Sequence, residues 1–203
     1  MDATLELVVD GVHQRAVVAD TPHVAAAAKS WLRGRDGAPR VVVGLCIDGC
    51  HVAADRLGNL EAIPLNGARH VEIETEATRQ VALRGLESAS EYAGRLASKL
   101  CDASEAFRGG RVEEGTLSVS EAADALSVLC FTVDAGIRAL GSAGKELEGF
   151  VEELEPWLSA VANAHHEEDW IRTADYLEYE IVPRVEGLPK RIADFARGIE
   201  AVE

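Results

Sequence analysis

The sequence is poor in basic residues and has no long apolar run. Lys and Arg total 20 against 35 Asp and Glu, which gives a net charge of −15 over 203 residues. Proteins that neutralise nucleic-acid phosphates or anionic lipids use basic surfaces. The longest stretch without Asp, Glu, Lys or Arg covers residues 156–166, only eleven positions, whereas a membrane-spanning helix needs about 20 apolar residues. We therefore expect neither a nucleic-acid partner nor a membrane partner.

Signals for secretion and for common enzyme classes are also scarce. The first ten residues carry three carboxylates in place of the basic start and apolar core of a secretory signal. The four cysteines are too scattered for a disulfide scaffold. The chain has no glycine-rich phosphate loop and no Gly-x-Ser-x-Gly elbow, which disfavours common nucleotide enzymes and serine hydrolases. These observations predict a cytoplasmic protein, and they call for no cofactor.

The hydrophobic pattern changes near residue 76. Before it, apolar residues alternate or form short β-branched blocks; after it, they recur every three or four residues. The content of 47% hydrophobic residues is high enough for packed cores. The pattern predicts an α+β chain with a sheet-forming domain at residues 1–76 and a helical domain at residues 77–203.

The first half contains two Asp-Gly pairs, at residues 10–11 and 48–49, and each predicts a β-hairpin because both residues tolerate positive φ. Between the hairpins, Asp20 or Thr21 can cap a helix over residues 24–32. A last strand is expected at residues 70–75.

This order of strand, strand, helix, strand, short strand and strand resembles the ubiquitin-like β-grasp fold. The resemblance depends on LELVVDG at residues 5–11, DTP at 20–22, VVVGLCIDG at 41–49 and VEIET at 71–75. A conjugated ubiquitin ends in a free Gly-Gly tail, whereas this chain continues after the strand. The resemblance therefore implies a docking role.

The second half contains four apolar helical seams, and glycines at 109–110 and at 141 separate the first three. Pro156 predicts a kink in the third helix, and Pro183 and Pro189 predict bends in the fourth. Together the seams predict an antiparallel four-helix bundle. With FRGGRVEE at 107–114 and AHHEEDW at 164–170, the helix order resembles the flagellin export chaperones, which implies binding of an extended partner segment along the bundle.

The most distinctive local string begins at Asp175 and continues through Tyr176, Glu178 and Tyr179. At helical spacing, the two carboxylates share one face and the two tyrosines share another. Tyrosine is a favoured interface anchor. We therefore predict that these four residues bind a protein partner, although tyrosines that cap the bundle and solvated carboxylates would give the same pattern.

Two other clusters could bind a metal. The pattern Asp-Gly-x-His occurs at Asp10 to His13 and at Asp48 to His51, and carboxylate and imidazole suit Zn or Fe. Asp-Gly turns of purely structural origin explain the same repeat. The second cluster, residues 165–169 (HHEED), also fits the capping of the fourth helix.

Cysteines flank the second turn, at Cys46 and Cys50. A two-residue turn would pair Cys50 with Ile47 and His51 with Cys46, so that the thiols point apart and behave as buried apolar residues. A thiolate nucleophile assisted by His51 is the alternative.

Taken together, the sequence predicts a non-catalytic bacterial adaptor or chaperone-like protein whose acidic bundle binds a basic or amphipathic protein segment. The alternatives are a metal-dependent enzyme at one of the two clusters and a structural subunit that self-associates into a homo-oligomer.

Overall fold

The structure is a computed structural model that describes residues 4–17, 22–34, 37–65, 67–141, 147 and 149–200. It has a mixed α/β architecture in which a five-stranded N-terminal sheet is followed by several helices. The chain forms two compact units, Met1–Val81 and Ala82–Glu203, called here the sheet unit and the helical unit. The sequence placed the boundary between residues 76 and 77. The predicted helix caps Asp20 and Thr21 lie outside the described residues.

The described residues of the sheet unit form five strands. They are β1 (Thr4–Val9), β2 (Val12–Val17), β3 (Arg40–Ile47), β4 (Cys50–His51) and β5 (His70–Ala77). Their order across the sheet is β2-β1-β5-β3-β4, and only β1 and β5 pair in parallel. Strand β5 continues two residues beyond its predicted end because Ala77 still pairs with Arg40 at the start of β3.

Both Asp-Gly pairs form the predicted two-residue turns. The φ angles are 50° and 76° at Asp10 and Gly11, and 48° and 82° at Asp48 and Gly49. Positive φ at both central residues matches the right-handed twist of the flanking strands. Each turn therefore joins antiparallel neighbours, β1 to β2 and β3 to β4.

The core of the sheet unit lies between one face of the sheet and helix α1 (Val24–Ala28). Alternate residues of β1 and β5 are buried there, because successive side chains of a strand point to opposite faces. Helix α1 is shorter than the predicted span of 24–32. His23 caps it by accepting a hydrogen bond from the Ala26 N–H at 3.2 Å, and residues 29–33 continue as turns.

The described part of the helical unit is built from helices, of which α2 and α3 are the longest. These are α2 (Thr78–Arg108), whose first turn belongs to the sheet unit, α3 (Val112–Leu140), α4 (Phe150–His166), α5 (Trp170–Asp175) and α6 (Val182–Glu200). A π-helical turn, Tyr176–Ile181, joins α5 to α6. The predicted seams supply the core, as Leu96, Leu126, Leu154 and Val185 show by being buried in one cluster.

The π-helical turn has a local cause. Pro183 has no N–H and cannot donate the ordinary helical hydrogen bond to the carbonyl of Tyr179. Just before it, the Val182 N–H donates to the carbonyl of Leu177, five residues back. The helical run from residue 170 to residue 200 therefore stays continuous, and α4 likewise runs through Pro156 without a break.

Candidate functional site

A large cavity in the helical unit is an open trough between α3 and α4, called here the α3–α4 groove. Its volume is about 760 Å³. Small side chains form much of its walls: Ser120, Ala123 and Ser127 on α3, and Ser159 and Ala162 on α4. Because these side chains are short, a second element can approach both helices closely along the groove.

The floor of the groove is part of the hydrophobic core. Leu100 from α2 and Leu177 and Ile181 from the π-helical turn line it, and each is no more than 1% exposed. Of the described residues that line this groove, Glu155 alone carries a full charge. The groove can therefore bury apolar side chains, and the hydroxyl groups of Ser120 and Ser159 in its walls can form hydrogen bonds.

An aromatic corner closes one end of the groove around His165. Its Nε2 atom lies 3.2 Å from the Thr116 Oγ1 on α3. The imidazole packs edge-on against Trp170 at 5.2 Å, and Trp170 stacks on Phe107 at 5.5 Å. Opposite the phenyl ring, Gly115 leaves the space that the ring fills. This corner fixes the C-terminal end of α4 against α2 and α3.

The other end of the groove opens toward a second cavity of about 440 Å³. Cys130 and Val151 line both cavities, and the second is bordered by Phe131, Asp134 and Glu152. Phe131 is 69% exposed although it is aromatic. Burial raises the pKa of the Cys130 thiol, so this sulfur acts as part of an apolar wall rather than as a nucleophile.

Helix α3 is long and apolar enough to cross a membrane by length and composition, and 22% of its most apolar 18-residue stretch is buried. Core helices of soluble proteins can meet the same criterion. Glu121 and Asp124 lie near the middle of α3, and Lys99 of α2 forms an ion pair with Glu121. The exposed apolar residues Leu117 and Val128 lie on the side of α3 away from the groove lining.

The four residues predicted to bind a partner lie outside the groove lining, at the junction of α5 and the π-helical turn. Arg108 at the end of α2 holds both carboxylates. Its Nη2 atom is 2.8 Å from Asp175 Oδ1, and its Nη1 atom pairs with Glu178. The hydrogen bond from Arg108 lowers the pKa of Glu178 against the opposing effect of burial, and the buried Ser104 hydroxyl adds a second hydrogen bond.

The two tyrosines have different surroundings. Tyr176 packs against Trp157 at a ring distance of 6.0 Å. Tyr179 is 61% exposed and lies under the Arg108 guanidinium at 5.5 Å. The two rings therefore contact different neighbours, Trp157 in one case and Arg108 in the other. Tyr179 remains accessible for a contact, whereas Asp175 and Glu178 already serve an internal ion-pair cluster.

Residues 85–191 match the family described as a domain of unknown function, DUF8042. This match covers more than half of the chain. The chain belongs to the DUF8042 family. Comparisons with curated proteins and with solved structures gave no match. The DUF8042 region contains all the described residues that line the α3–α4 groove, and the sheet unit lies before it.

The two Asp-Gly-x-His repeats lie outside the DUF8042 region and are far apart. Asp10 accepts hydrogen bonds from the N–H and the hydroxyl of Thr75, both at 2.7 Å, whereas Asp48 accepts from the His70 N–H at 2.8 Å. Thr75 and His70 lie near opposite ends of β5. The carboxylates therefore anchor two hairpins at opposite ends of the sheet, and they do not converge on one metal.

The carboxylate pKa values agree with this anchoring role. Burial alone would raise the pKa of Asp10, but the hydrogen bonds from Thr75 and the Arg40 guanidinium lower it. Backbone hydrogen bonds from His70 and Arg69 lower the pKa of Asp48. Over the parts of the chain that the structure describes, no group of three or more His, Cys, Asp and Glu side chains could hold a metal ion.

The remaining candidate residues are the cluster at 165–169 and the cysteines of the second hairpin. Asp169 caps α5 by accepting from the Arg172 N–H at 3.0 Å, as the capping interpretation predicted. In the second hairpin, Cys46 pairs with His51 across the strands. Cys46 is buried, but Cys50 is exposed, so the prediction that both thiols are buried was wrong for Cys50. The hairpin tip extends beyond the core and leaves that side chain in solvent.

Sequence reasoning missed the α3–α4 groove. Much of its wall is formed by Ser and Ala, which carry no chemical signature, and its depth depends on how far apart α3 and α4 lie. A detectable signal existed in α3, where small residues recur at positions 120, 123 and 127 beside the buried seam.

Proposed function

We propose that this DUF8042 protein is a non-catalytic bacterial adaptor or chaperone-like protein that binds a segment of a partner protein. The α3–α4 groove carries this proposal, because it joins an apolar floor to small-residue walls and opens to solvent. Such a groove accepts the apolar face of a helix from another chain. The segment would replace water along the groove and bury its apolar side chains.

The charge of the helical half supports a basic or amphipathic partner. Residues 77–203 contain 13 basic and 24 acidic residues. An excess of carboxylates attracts a basic chain over distances of about 10 Å at moderate salt and speeds its encounter with the groove. The apolar floor would then supply most of the affinity.

The proposal also includes the finer architecture of the two units and the cellular location of the protein. The order of elements in the sheet unit supports a β-grasp docking domain, and the connected seams of the helical unit support an antiparallel four-helix bundle. The bacterial cytoplasm suits a chain with only four cysteines. In this arrangement the bundle binds the partner segment, and the β-grasp domain offers a separate surface for assembly.

A substitution that fills the groove with a large side chain tests the proposal. The Ala123→Trp substitution places an indole on the groove wall, and the matched control Ala139→Trp places the same indole on exposed α3 surface beyond the lining. We expect a tagged wild-type protein, recovered from its native cells at low salt, to retain a partner whose cross-linked segment maps to the groove. Ala123→Trp should lose that partner and Ala139→Trp should keep it. Equal retention by both variants would refute the groove as the binding site.

A further inference from the structure

The groove has a charge polarity along its length. Its outer end, where it meets the second cavity, carries the carboxylates Glu155, Glu152 and Asp134, whereas its closed end carries His165 and Thr116. Within the described residues, neither cavity is lined by a Lys or an Arg. A ligand lying in the groove therefore meets negative charge at one end and a neutral, aromatic corner at the other.

The carboxylates at the outer end differ in their availability. Asp134 already forms an ion pair with Arg138, one turn along α3. Glu152 and Glu155 are exposed on α4, three residues apart, so that both reach the same side of the helix. Each can accept charge-assisted hydrogen bonds from an ammonium or guanidinium group.

The dimensions of the groove define the size of the ligand. From Thr116 to Cys130 on α3, and from Val151 to His165 on α4, the lining residues span fourteen helical steps, or about 21 Å at the α-helical rise. That length accommodates about four turns of a helix. Small Ser and Ala side chains form much of the walls, so the ligand must supply bulky apolar side chains to fill the groove.

We propose that the groove binds one amphipathic helix of about four turns, with Leu-sized anchors facing the floor and a Lys- or Arg-rich end placed against Glu152 and Glu155. This inference rests on the proposed function and adds the orientation of the bound segment. The charge pattern determines the direction in which the helix lies, because the reversed placement would bring its basic end to the aromatic corner at His165 and leave Glu152 and Glu155 without partners on the ligand.

Two designed peptides test this orientation. Both have 15 residues and the same leucine face; one carries three Lys residues at one end, and the other carries three Glu residues at those positions. Binding to the full-length protein is measured by fluorescence anisotropy in about 50 mM salt. We expect the Lys-ended peptide to bind about tenfold more tightly, since two exposed ion pairs are exchanged for two repulsive contacts.

Charge reversal on the protein sharpens the test. The double variant Glu152→Lys/Glu155→Lys should reverse the preference and bind the Glu-ended peptide more tightly. The control variant Glu87→Lys/Glu91→Lys changes the net charge equally on exposed α2 residues that do not line the groove, and it should keep the wild-type preference. If both double variants lose the preference for the Lys-ended peptide to the same extent, long-range attraction alone acts, and the proposed orientation is overturned.

A photo-cross-linker on the charged end of the Lys peptide gives an independent measurement. We expect the cross-links to fall on residues 149–155 of the α4 region, and cross-links near His165 would overturn the orientation. If both peptides bind equally and Ala123→Trp blocks both, the polarity is wrong while the proposed function stands. If neither peptide binds, or if Ala123→Trp changes nothing, the groove is not a docking site and both proposals fail.

Discussion

The substitution Gly115→Ala tests the aromatic corner at the closed end of the groove. A Cβ atom at this position would lie 2.9 to 3.0 Å from three atoms of the Phe107 ring. That ring is 2% exposed and stacks on Trp170, so it cannot swing into solvent. Overpacking of this kind costs about 1–3 kcal/mol, whereas the higher helix propensity of Ala returns at most about 1 kcal/mol. We expect a net destabilisation of about 1–2 kcal/mol.

Gly94→Ala is the matched control, since Gly94 lies inside α2 and a Cβ there meets no atom within 4 Å. It should raise stability by about 1 kcal/mol or less. Urea unfolding followed by circular dichroism at 222 nm measures both variants, and the midpoint of Gly115→Ala should fall by about 0.5–1 M. If Gly115→Ala is as stable as Gly94→Ala, the Phe107 ring does not restrict this position and the corner is not rigid.

Three further predictions concern ionisation and thiol exposure. The pKa of Glu178 is lowered in the folded state, so its stabilising contribution is present above pH 4.5 and is lost as pH falls through the folded pKa. The unfolding midpoint of the wild-type protein should therefore decline more between pH 5 and pH 3 than the midpoint of Arg108→Met. Equal declines would exclude the pairing of Arg108 with Glu178. The pKa of His70 is raised above 6.5, chiefly by its hydrogen bond to Glu72. Its contribution to the stability of the fold is therefore present below pH 6.5 and is lost as pH rises through the folded pKa. An NMR titration midpoint at or below 6.5 would contradict this. Cys50 should react with iodoacetamide in the folded protein well before Cys46, because of these two only Cys50 is exposed. Mass spectrometry of the labelled peptides measures the order of reaction, and earlier labelling of Cys46 would contradict the prediction.

Local chemistry made several features of the fold predictable. The Asp-Gly pairs fixed both hairpins because only a few residue types tolerate positive φ, and the turn set the pairing of Cys46 with His51. Glycines ended helices where predicted, as at Gly141, whose φ is 75°. The helical seams were readable because burial repeats every three to four residues.

Features that depend on distances between helices could not be predicted. The string from Asp175 to Tyr179 is conspicuous in the sequence, but nothing local indicates that Arg108, about seventy residues earlier, pairs with both of its carboxylates. The surroundings of the two tyrosines were also out of reach of the sequence, because the packing of Tyr176 against Trp157 of α4 depends on where that helix lies, while Tyr179 is left exposed.

The sequence by itself determined the acidic charge, the change from sheet to helices, the turns and the apolar seams, because each follows from residue type and short-range spacing. Only the tertiary structure decided that Ser120, Ala123 and Ser127 face Ser159 and Ala162 across an open groove. Small side chains set no contact distance of their own, so the larger core residues beneath them fix how far apart α3 and α4 lie, and thereby create the groove.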